Sequence, residues 1–249
     1  MMAQVFGAGG GRFRSYSPVY KLSYEWVGVT SLGLPRYGAA MFIYGDYLYV
    51  VGGMTDRGVT TSVERYYIKT FERSYPTPMI SGRAFFGYGL VGSKFYVLGG
   101  IDIGSTPTNT ILVYDVLTNS WSSLTVTLPK KVAWCGSAVV GGKIYVIGGQ
   151  DDEGNILKTT YEFNPANNTV TTRASLNTSR QNHACAALGS KIYCFGGDDG
   201  SANLLSIEVY DTVANTWSVL PVSLPYALTG LSAIPIKIDD KDYILVLGG

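Results

Sequence analysis

The stretch Leu48-Tyr49-Val50-Val51-Gly52-Gly53 recurs along the chain with little change. It returns as Phe95-Tyr96-Val97-Leu98-Gly99-Gly100, Ile144-Tyr145-Val146-Ile147-Gly148-Gly149, Ile192-Tyr193-Cys194-Phe195-Gly196-Gly197 and Ile244-Leu245-Val246-Leu247-Gly248-Gly249. The first glycines of these pairs stand at positions 52, 99, 148, 196 and 248, so the period is 47 to 52 residues. A period of this size is typical of repeat architectures in which each repeat forms one supersecondary unit.

Length and composition indicate one globular domain, residues 1–249. The 249 residues are 46% hydrophobic and 15% charged, which is ample for a packed core. Lys and Arg total 19 against 18 Asp and Glu, so no basic footprint for nucleic acid is present. No apolar run approaches the roughly 18 residues of a spanning helix, and no secretory signal opens the chain. We therefore expect a cytoplasmic monomer without nucleic-acid or membrane partners.

Each repeat predicts four strands, here named a to d. Strands a and b precede the glycine pair, and Gly45, Gly92, Gly141 and Gly189 stand in the tight turns between them, where positive φ is needed. Strand c follows a polar loop, at residues 63–66, 112–115, 161–164 and 208–211. Strand d bears a large residue at Tyr75, Trp121, Val170 and Trp217. No segment predicts a helix of useful length, so we expect an all-β propeller whose four-stranded blades bury their faces by stacking.

The repeat boundaries predict five blades. Four are complete, at residues 34–80, 81–128, 129–177 and 178–223, and the fifth is a composite of residues 224–249 and 13–33. In that composite, Leu231 to Gly249 supply strands a and b, whereas Val19-Tyr20 and Trp26 supply c and d. A last blade closed by N- and C-terminal strands would leave no unprotected sheet edge at either terminus.

The pattern resembles the kelch repeat family over nearly the whole chain. The resemblance rests on the repeated Tyr-Val-x-Gly-Gly, on the Tyr/Trp pairs 114/121 and 210/217, and on an Arg sixteen residues before the glycines at Arg36, Arg83 and Arg180. Two features depart from the family pattern. Kelch propellers usually have six or seven blades, and the Arg position holds Val132 in the third repeat and, by our count, Tyr226 in the fifth.

The residues argue against catalysis and against a bound metal or other cofactor. His183 is the single histidine, whereas catalytic metal sites commonly use two or three. Kelch-like copper oxidases use two histidines with tyrosines, and that set is missing. The glycine-rich segment near the N-terminus lacks the Lys-Ser/Thr of a phosphate-binding loop. His183 stands where kelch repeats carry His or Phe at the start of strand a, so we expect a structural role for it and no stoichiometric metal.

Cysteine usage suits a reducing compartment. The chain has three cysteines, which is not a disulfide framework. Cys185 and Cys194 fall opposite each other if the hairpin between them turns at Gly189-Ser190. We expect two reduced, buried thiols, with a disulfide as the alternative.

The d–a and b–c connections are expected to share one face, because strand a crosses the ring and strand b returns. Loops on a rigid scaffold are common binding sites. The candidate partner-binding residues on this face are Arg36, Arg83, Phe85, Trp134, Arg180, Asn182, His183, Tyr226, Asp102, Asp152 and Asp198. The resemblance places Gly38, Phe85, Trp134, Asn182 and Leu228 at the mouth of the channel. Alternatively, the arginines brace loops, the aspartates cap turns and Trp134 fills the channel.

The resemblance to kelch adaptors implies a noncatalytic protein-interaction module. The arginines and the unplaced Trp134 predict a protein or peptide partner that offers an acidic turn with an apolar anchor. The alternative function is that of a small-molecule enzyme directed at sugars, such as a kelch-like mutarotase. A third hypothesis is a fragment with a purely structural role.

Overall fold

The computed structural model describes residues 3–7 and 30–248. Their secondary structure consists of strands, turns and irregular loops, which confirms the all-β class. Among these residues there is no helix with the length and apolar character needed to cross a membrane.

The strands follow the chain in blades. The N-terminal strand is β1 (Ala3–Gly7). The first blade contains β2 (Ala40–Tyr44), β3 (Tyr47–Val51), a small loop hairpin of β4 (Met54–Thr55) and β5 (Gly58–Val59), then β6 (Val63–Tyr67) and β7 (Arg73–Ser74). The second contains β8 (Gly87–Val91), β9 (Lys94–Leu98), β10 (Thr110–Asp115) and β11 (Ser120–Thr127). The third contains β12 (Gly136–Val140), β13 (Lys143–Ile147), β14 (Thr160–Asn164) and β15 (Thr169–Arg173). The fourth contains β16 (Ala184–Leu188), β17 (Lys191–Phe195), β18 (Ser206–Asp211) and β19 (Thr216–Ser223), and the chain continues into β20 (Leu231–Ile238) and β21 (Lys241–Gly248).

Four of these units are four-stranded antiparallel sheets with the predicted order a-b-c-d. The register of the hairpins is also as predicted, and Cys185 lies opposite Cys194 on β16 and β17. The sequence therefore predicted the four-stranded antiparallel sheets correctly, whereas the exact limits of the blades stay a prediction.

The last sheet joins the two ends of the chain in the order β1-β21-β20. The N-terminal strand differs from the expected one. Ala3 lies opposite Leu247 and Gly7 opposite Tyr243, so Ala3–Gly7 takes the place beside strand b that the sequence assigned to Val19-Tyr20. Val19-Tyr20 and Trp26 lie outside the described residues.

Neighbouring sheets pack face to face and share their cores. Phe42 of the first blade stacks on Phe95 of the second, with ring centroids 4.2 Å apart. Tyr96 of the second blade meets Phe163 of the third edge-on at 5.4 Å. In contrast, Met41 on the other face of the first sheet is 60% exposed. Stacking of this kind buries both faces of each inner sheet, which a single sheet cannot achieve.

The glycine pairs form the seam between blades. In each of the first four pairs the second glycine donates its N–H to a carbonyl of the next blade, as from Gly53 to Arg83 at 2.7 Å and from Gly149 to Arg180 at 2.8 Å. Both glycines have positive φ. A Cβ on Gly52 would lie 2.5 Å from the Arg83 oxygen. The first position is glycine because the neighbouring blade occupies the space of a side chain, whereas at Gly53 that space is occupied by Tyr37 and Ala39 of the same blade.

Candidate partner-binding face

The d–a and b–c loops meet on one face of the sheets, as the sequence predicted. Tyr37 of a d–a loop and Met54 of a b–c loop exchange two backbone hydrogen bonds of 3.0 and 2.8 Å. The same pairing joins Ala84 to Ile101, Ala133 to Gln150 and Gln181 to Asp198. Each blade thus ties its two loops together, and the loops form a continuous surface.

A chain of backbone hydrogen bonds links the blades at the centre of this face. Phe85 donates to the Gly38 carbonyl at 2.8 Å, and Trp134 donates to Phe85 at 2.8 Å. Asn182 then donates to Trp134 at 2.9 Å, and Gly230 donates to Asn182 at 2.8 Å. All five residues have positive φ. The fifth member is therefore Gly230, and the assignment of Leu228 to this position is corrected.

Three aromatic side chains lie side by side across the first three blades. The Tyr37 ring meets the Phe85 ring edge-on at 5.6 Å, and Phe85 lies 5.6 Å from Trp134. Tyr37 is 63% exposed, whereas Phe85 and Trp134 are half-buried. Buried Ala84 and neighbouring apolar residues support Phe85 and Trp134 from below. These three rings, here called the aromatic row, offer apolar surface beside the channel mouth.

All three predicted binding arginines have buried side chains, and two of them form ion pairs with a buried glutamate. Arg180 forms an ion pair of 2.7 Å with Glu208, and neither side chain is exposed. It also donates to the Gly196 and Ser206 carbonyls, while Glu208 accepts the backbone N–H groups of Asn177 and Thr178. The arginine and glutamate thereby fasten the d–a loop to the b–c loop and to strand c. Burial lowers the pKa of Arg180, and the charge of Glu208 acts against that change.

Arg36 repeats this arrangement in the first blade. It is ion-paired with Glu64, and both side chains are fully buried. Glu64 accepts the N–H groups of Gly33 and Leu34 as well. Burial raises the pKa of Glu64, but hydrogen bonds from Tyr66 and Gly33 and the charge of Arg36 outweigh it and lower the pKa. This burial favours the bracing role over contact with a partner.

The third and fifth blades hold other residues at the position of the bracing arginine. Val132 occupies the Arg position in the third blade, and Tyr161 occupies the strand-c position of the glutamate. Both are buried, so an apolar pair replaces the ion pair. In the fifth blade, the carbonyl that accepts the glycine N–H belongs to Leu228. Leu228, rather than Tyr226, is therefore the counterpart of the arginines, and Tyr226 is 53% exposed in the preceding loop.

Arg83 differs from the other two arginines. Its guanidinium donates to Ser81 Oγ at 2.7 Å, to the Gly82 carbonyl and to Thr110 Oγ1 at 2.8 Å. The strand-c position opposite Val97 holds Leu112 rather than glutamate, and Arg83 Nε has no partner. The side chain is buried, and this burial lowers its pKa, with Asp102 acting in the opposite direction. Arg83 thus has a buried unpaired donor, as Arg180 does at its own Nε, but it differs from Arg180 in having no carboxylate partner.

The predicted aspartates mostly organise turns. Asp102 accepts the Gly104 N–H at 2.9 Å and the Thr106 hydroxyl at 3.2 Å. Asp198 accepts from Gln181 Nε2 at 2.9 Å and from Asn182 Nδ2 at 3.3 Å. Asp102 and Asp198 therefore hold loop conformations, as the alternative interpretation proposed.

Asp152 has a different environment on the same face. Its carboxylate forms an exposed ion pair with Lys131 at 2.8 Å. This pair lowers the pKa of Asp152. Asp152 is therefore the most accessible of the three predicted carboxylates, and its charge is already matched by a neighbouring lysine.

A cluster of three side chains near this face was not anticipated by the sequence analysis. His183, Cys185 and Cys194 have their ligand atoms within 4.8 Å of one another, the one such His/Cys/Asp/Glu group among the described residues. Cys185 and Cys194 are joined by a disulfide, which corrects the expectation of two reduced thiols; strict opposition on neighbouring strands brings the sulfurs together. His183 is buried, as expected of a core residue, and burial together with the Arg180 charge lowers its pKa to about 3.

Comparison with known proteins identifies relatives over most of the chain. The family model described as the KLHDC2/KLHL20/DRC7 Kelch-repeats domain matches residues 86–249, and the Kelch motif matches residues 35–80. Kelch-like protein 36 of Mus musculus is 30% identical over 221 residues, which cover 84% of this chain and 35% of the relative. Kelch-like protein 34 of Homo sapiens is 26% identical over 244 residues, covering 91% of this chain and 37% of the relative. The chain thus spans little more than a third of these two proteins.

A solved structure shares the fold at low sequence identity. The structure of YjhT superimposes with a TM-score of 0.72 at 17% identity, and the match covers 87% of this chain and 74% of that one. At this identity the likeness bears on architecture alone.

Proposed function

Because the chain belongs to the kelch-repeat family and has its propeller architecture, we propose that it is a noncatalytic protein-interaction module. The proposed binding surface is the d–a/b–c face, and its centre is the aromatic row. The observation that carries the proposal is the backbone conformation of Phe85 and Trp134, which have φ of 55° and 54°.

Positive φ is unfavourable for bulky residues. The equivalent positions in the other blades hold Gly38, Asn182 and Gly230, which adopt this conformation more readily. A non-glycine residue in such a region costs on the order of 1–3 kcal/mol, and cases of this kind cluster at functional sites. Phe85 and Trp134 are therefore not what the backbone alone favours. Their presence at these positions is explained if their ring surfaces contact a partner, and this supports the proposal.

Aromatic side chains of this kind suit a protein partner. Interface hot spots are enriched in Trp and Tyr, and they are backed by well-packed surroundings. Tyr37, Phe85 and Trp134 present adjacent rings, and hydrogen-bonded backbone holds each ring in place. Little conformational entropy is lost when a partner binds such a preorganised surface.

The chemistry of the partner follows from which charges are accessible. Arg36 and Arg180 are buried in ion pairs, so they do not support an acidic turn on the partner. Arg83 is buried as well, but its hydrogen bonds go to hydroxyls and a carbonyl rather than to a carboxylate. We therefore propose that the partner inserts an apolar anchor at the aromatic row, and that any acidic group it carries lies toward Arg83.

The relatives support a protein ligand in general terms, since they are kelch-like proteins by name. Because the chain covers little more than a third of their length, the activity of a whole protein is part of the proposal. The proposal also includes a cytoplasmic, monomeric state.

A sugar-directed enzyme is the alternative to this proposal. An enzyme needs convergent titratable groups in a pocket. One cleft of about 450 Å³ is lined by Leu34, Pro35, Asp56 and Arg57, with a single carboxylate. The carboxylates of Asp102 and Asp198 are already engaged in turns. A coupled screen against free sugars tests this alternative separately.

Site-specific photo-crosslinking tests the proposed face. A photo-reactive amino acid is placed at Phe85 and, as a matched control, at Leu117, which is 72% exposed in the c–d turn on the opposite face. In cell extract, position 85 is expected to capture a defined set of proteins that position 117 does not. Equal capture from both positions would contradict the proposal.

A further inference from the structure

A potential ligand set lies between the third and fourth blades, one layer below the loop surface. His183 precedes β16, and Cys185 and Cys194 lie directly opposite each other on β16 and β17. The ligand atoms of all three residues fall within 4.8 Å of one another. Imidazole nitrogen and two sulfurs form a donor set that suits soft metal ions such as Zn²⁺ and Cu⁺.

The imidazole of His183 has no hydrogen-bond partner within the described residues 3–7 and 30–248. Neither Nδ1 nor Nε2 is bonded, although the residue is 95% buried. Buried polar atoms are nearly always satisfied, so an unpaired imidazole requires an explanation. Its Nε2 and Cys185 Sγ border the same space, because a Cβ on Gly136 would lie 2.6 Å from Nε2 and 2.5 Å from Sγ. The absence of a side chain at Gly136 thus leaves the two potential ligands side by side.

The other blades show that the fold does not need these three residues. The position of His183 against the second glycine is held by Ala39, Phe86 and Cys135 in the other complete blades. The position of Cys194 is held by Val50, Val97 and Val146, and that of Cys185 by Met41, Tyr88 and Ser137. The combination of one His and two Cys is therefore peculiar to the fourth blade and is not a requirement of sheet stacking.

We propose that reduction of the Cys185–Cys194 disulfide creates a site in which His183 and both cysteines bind one soft metal ion of the d¹⁰ class, Zn²⁺ or Cu⁺. The reduction takes two electrons and two protons from a thiol reductant, which is itself oxidised to a disulfide. The two thiols then release their protons to solvent as the ion binds. The neutral imidazole contributes a lone pair and exchanges no proton.

The site is physically consistent with such an ion. Ligands of one zinc ion lie roughly 3.5 Å apart, given bond lengths of about 2.0–2.3 Å, and the three ligand atoms here already lie within 4.8 Å of one another. Two thiolates neutralise Zn²⁺, and a buried site without net charge avoids a large desolvation cost. Cu⁺ would in turn need no ligand beyond these three. Cys185 is half-buried and is the least buried of the three potential ligands.

Anaerobic metal titration of the whole chain tests the proposal. The protein is reduced with a phosphine that is then removed, and Zn²⁺ and Cu⁺ are titrated separately against chromophoric chelators. We expect one equivalent of at least one ion to bind to the reduced protein and none to bind at this site in the oxidised protein. If neither ion binds to the reduced chain, the proposal is wrong.

Variants taken from the other blades keep the test independent of folding. His183→Phe introduces the residue of the second blade, and Cys194→Val introduces that of the first three. Each is expected to weaken binding at least about tenfold. Cys135→Ala, which removes the free, half-buried thiol, should leave affinity and stoichiometry unchanged. Equal affinity in His183→Phe and the unmodified chain, with unchanged melting temperatures, would overturn the three-ligand site.

Discussion

Gly148 lies so close to the carbonyl oxygen of Arg180 that a Cβ on the glycine would stand 2.5 Å from that oxygen. The following residue, Gly149, donates its N–H to the same oxygen at 2.8 Å. One carbonyl of the fourth blade therefore meets both glycines of the third. The repeated Gly-Gly is thus a contact between blades rather than only a turn signal.

This contact predicts that a single methyl group added at Gly148 lowers the stability of the protein strongly. Gly148→Ala should destabilise the protein by about 3 kcal/mol or more, because the new Cβ adds a clash with backbone to the cost of positive φ. Gly141→Ala is the matched control, since its φ of 57° resembles the 60° of Gly148 and a Cβ there meets nothing within 4 Å. It should cost only about 1–2 kcal/mol. Equal losses in the free energy of unfolding, measured with urea, would contradict the contact between blades at the glycine pair.

The buried ion pair of Arg180 and Glu208 should contribute more to stability than an exposed ion pair on the same protein. Arg180→Met leaves Glu208 as an uncompensated buried charge, so we expect a loss of about 3–5 kcal/mol in the free energy of unfolding. Lys131→Met breaks the exposed pair with Asp152, whose side chains are 51% and 41% accessible, and should cost less than about 1 kcal/mol. Denaturant unfolding of both variants measures the contrast. Similar losses would mean that Arg180 does not brace the loops.

Glu162 predicts how stability depends on acid. Burial raises its pKa, but hydrogen bonds from Arg173, Lys143 and Tyr145 prevail and lower it from 4.5 to about 2. Because the folded pKa is depressed, this stabilisation is fully present above pH 4.5 and is lost as the pH falls toward 2. Glu162→Gln should therefore be less stable than the unmodified chain near neutral pH, by on the order of 2 kcal/mol.

Unfolding of both proteins across this range tests the assignment. The stability difference between Glu162→Gln and the unmodified chain should shrink between pH 4.5 and pH 2. A difference that stays constant over that range would show that the Glu162 carboxylate does not titrate as described.

The N-terminal strand predicts how the last sheet behaves without its edge. Ala3–Gly7 pairs with β21 along five residues, so deletion of residues 1–7 should expose that strand and produce oligomers or insoluble protein. A chain in which residues 3–7 are replaced by a Gly-Ser segment of equal length separates pairing from length. Light scattering should find both proteins associated. Monomers with the original melting temperature would contradict the pairing.

Much of the fold could be predicted from local pattern. The glycine pairs, the hairpin turns and the alternation of strands depend on neighbouring residues, and they located the complete blades and the opposition of Cys185 and Cys194. The residue count that assigned the arginine position of the fifth repeat missed Leu228, because β20 and β21 are each eight residues long whereas β16 and β17 have five. Spacing along the chain cannot reveal that a hairpin has been extended.

The site was less predictable because burial depends on distant residues. Arg180 is buried since Glu208, 28 residues away, supplies the opposite charge, and no local signal distinguishes it from an exposed arginine. The ligand set was missed for a different reason. His183 and Cys185 stand two residues apart on strand a and so share a face, but the single histidine was weighed only against sites that use two or three histidines.

The central claim is that the aromatic row binds a protein partner, and the most direct test measures binding and stability on the same variants. Immobilised unmodified protein, Trp134→Ala and Leu117→Ala are compared for the proteins they retain from cell extract, quantified by mass spectrometry, and for melting temperature. We predict that Trp134→Ala retains at least about tenfold less partner protein than the unmodified chain. Its melting temperature should stay within about 2 °C of the original. Leu117→Ala should retain as much partner as the unmodified chain. Undiminished retention by Trp134→Ala, together with a melting temperature lowered by several degrees, would show that Trp134 belongs to the scaffold and would contradict the claim.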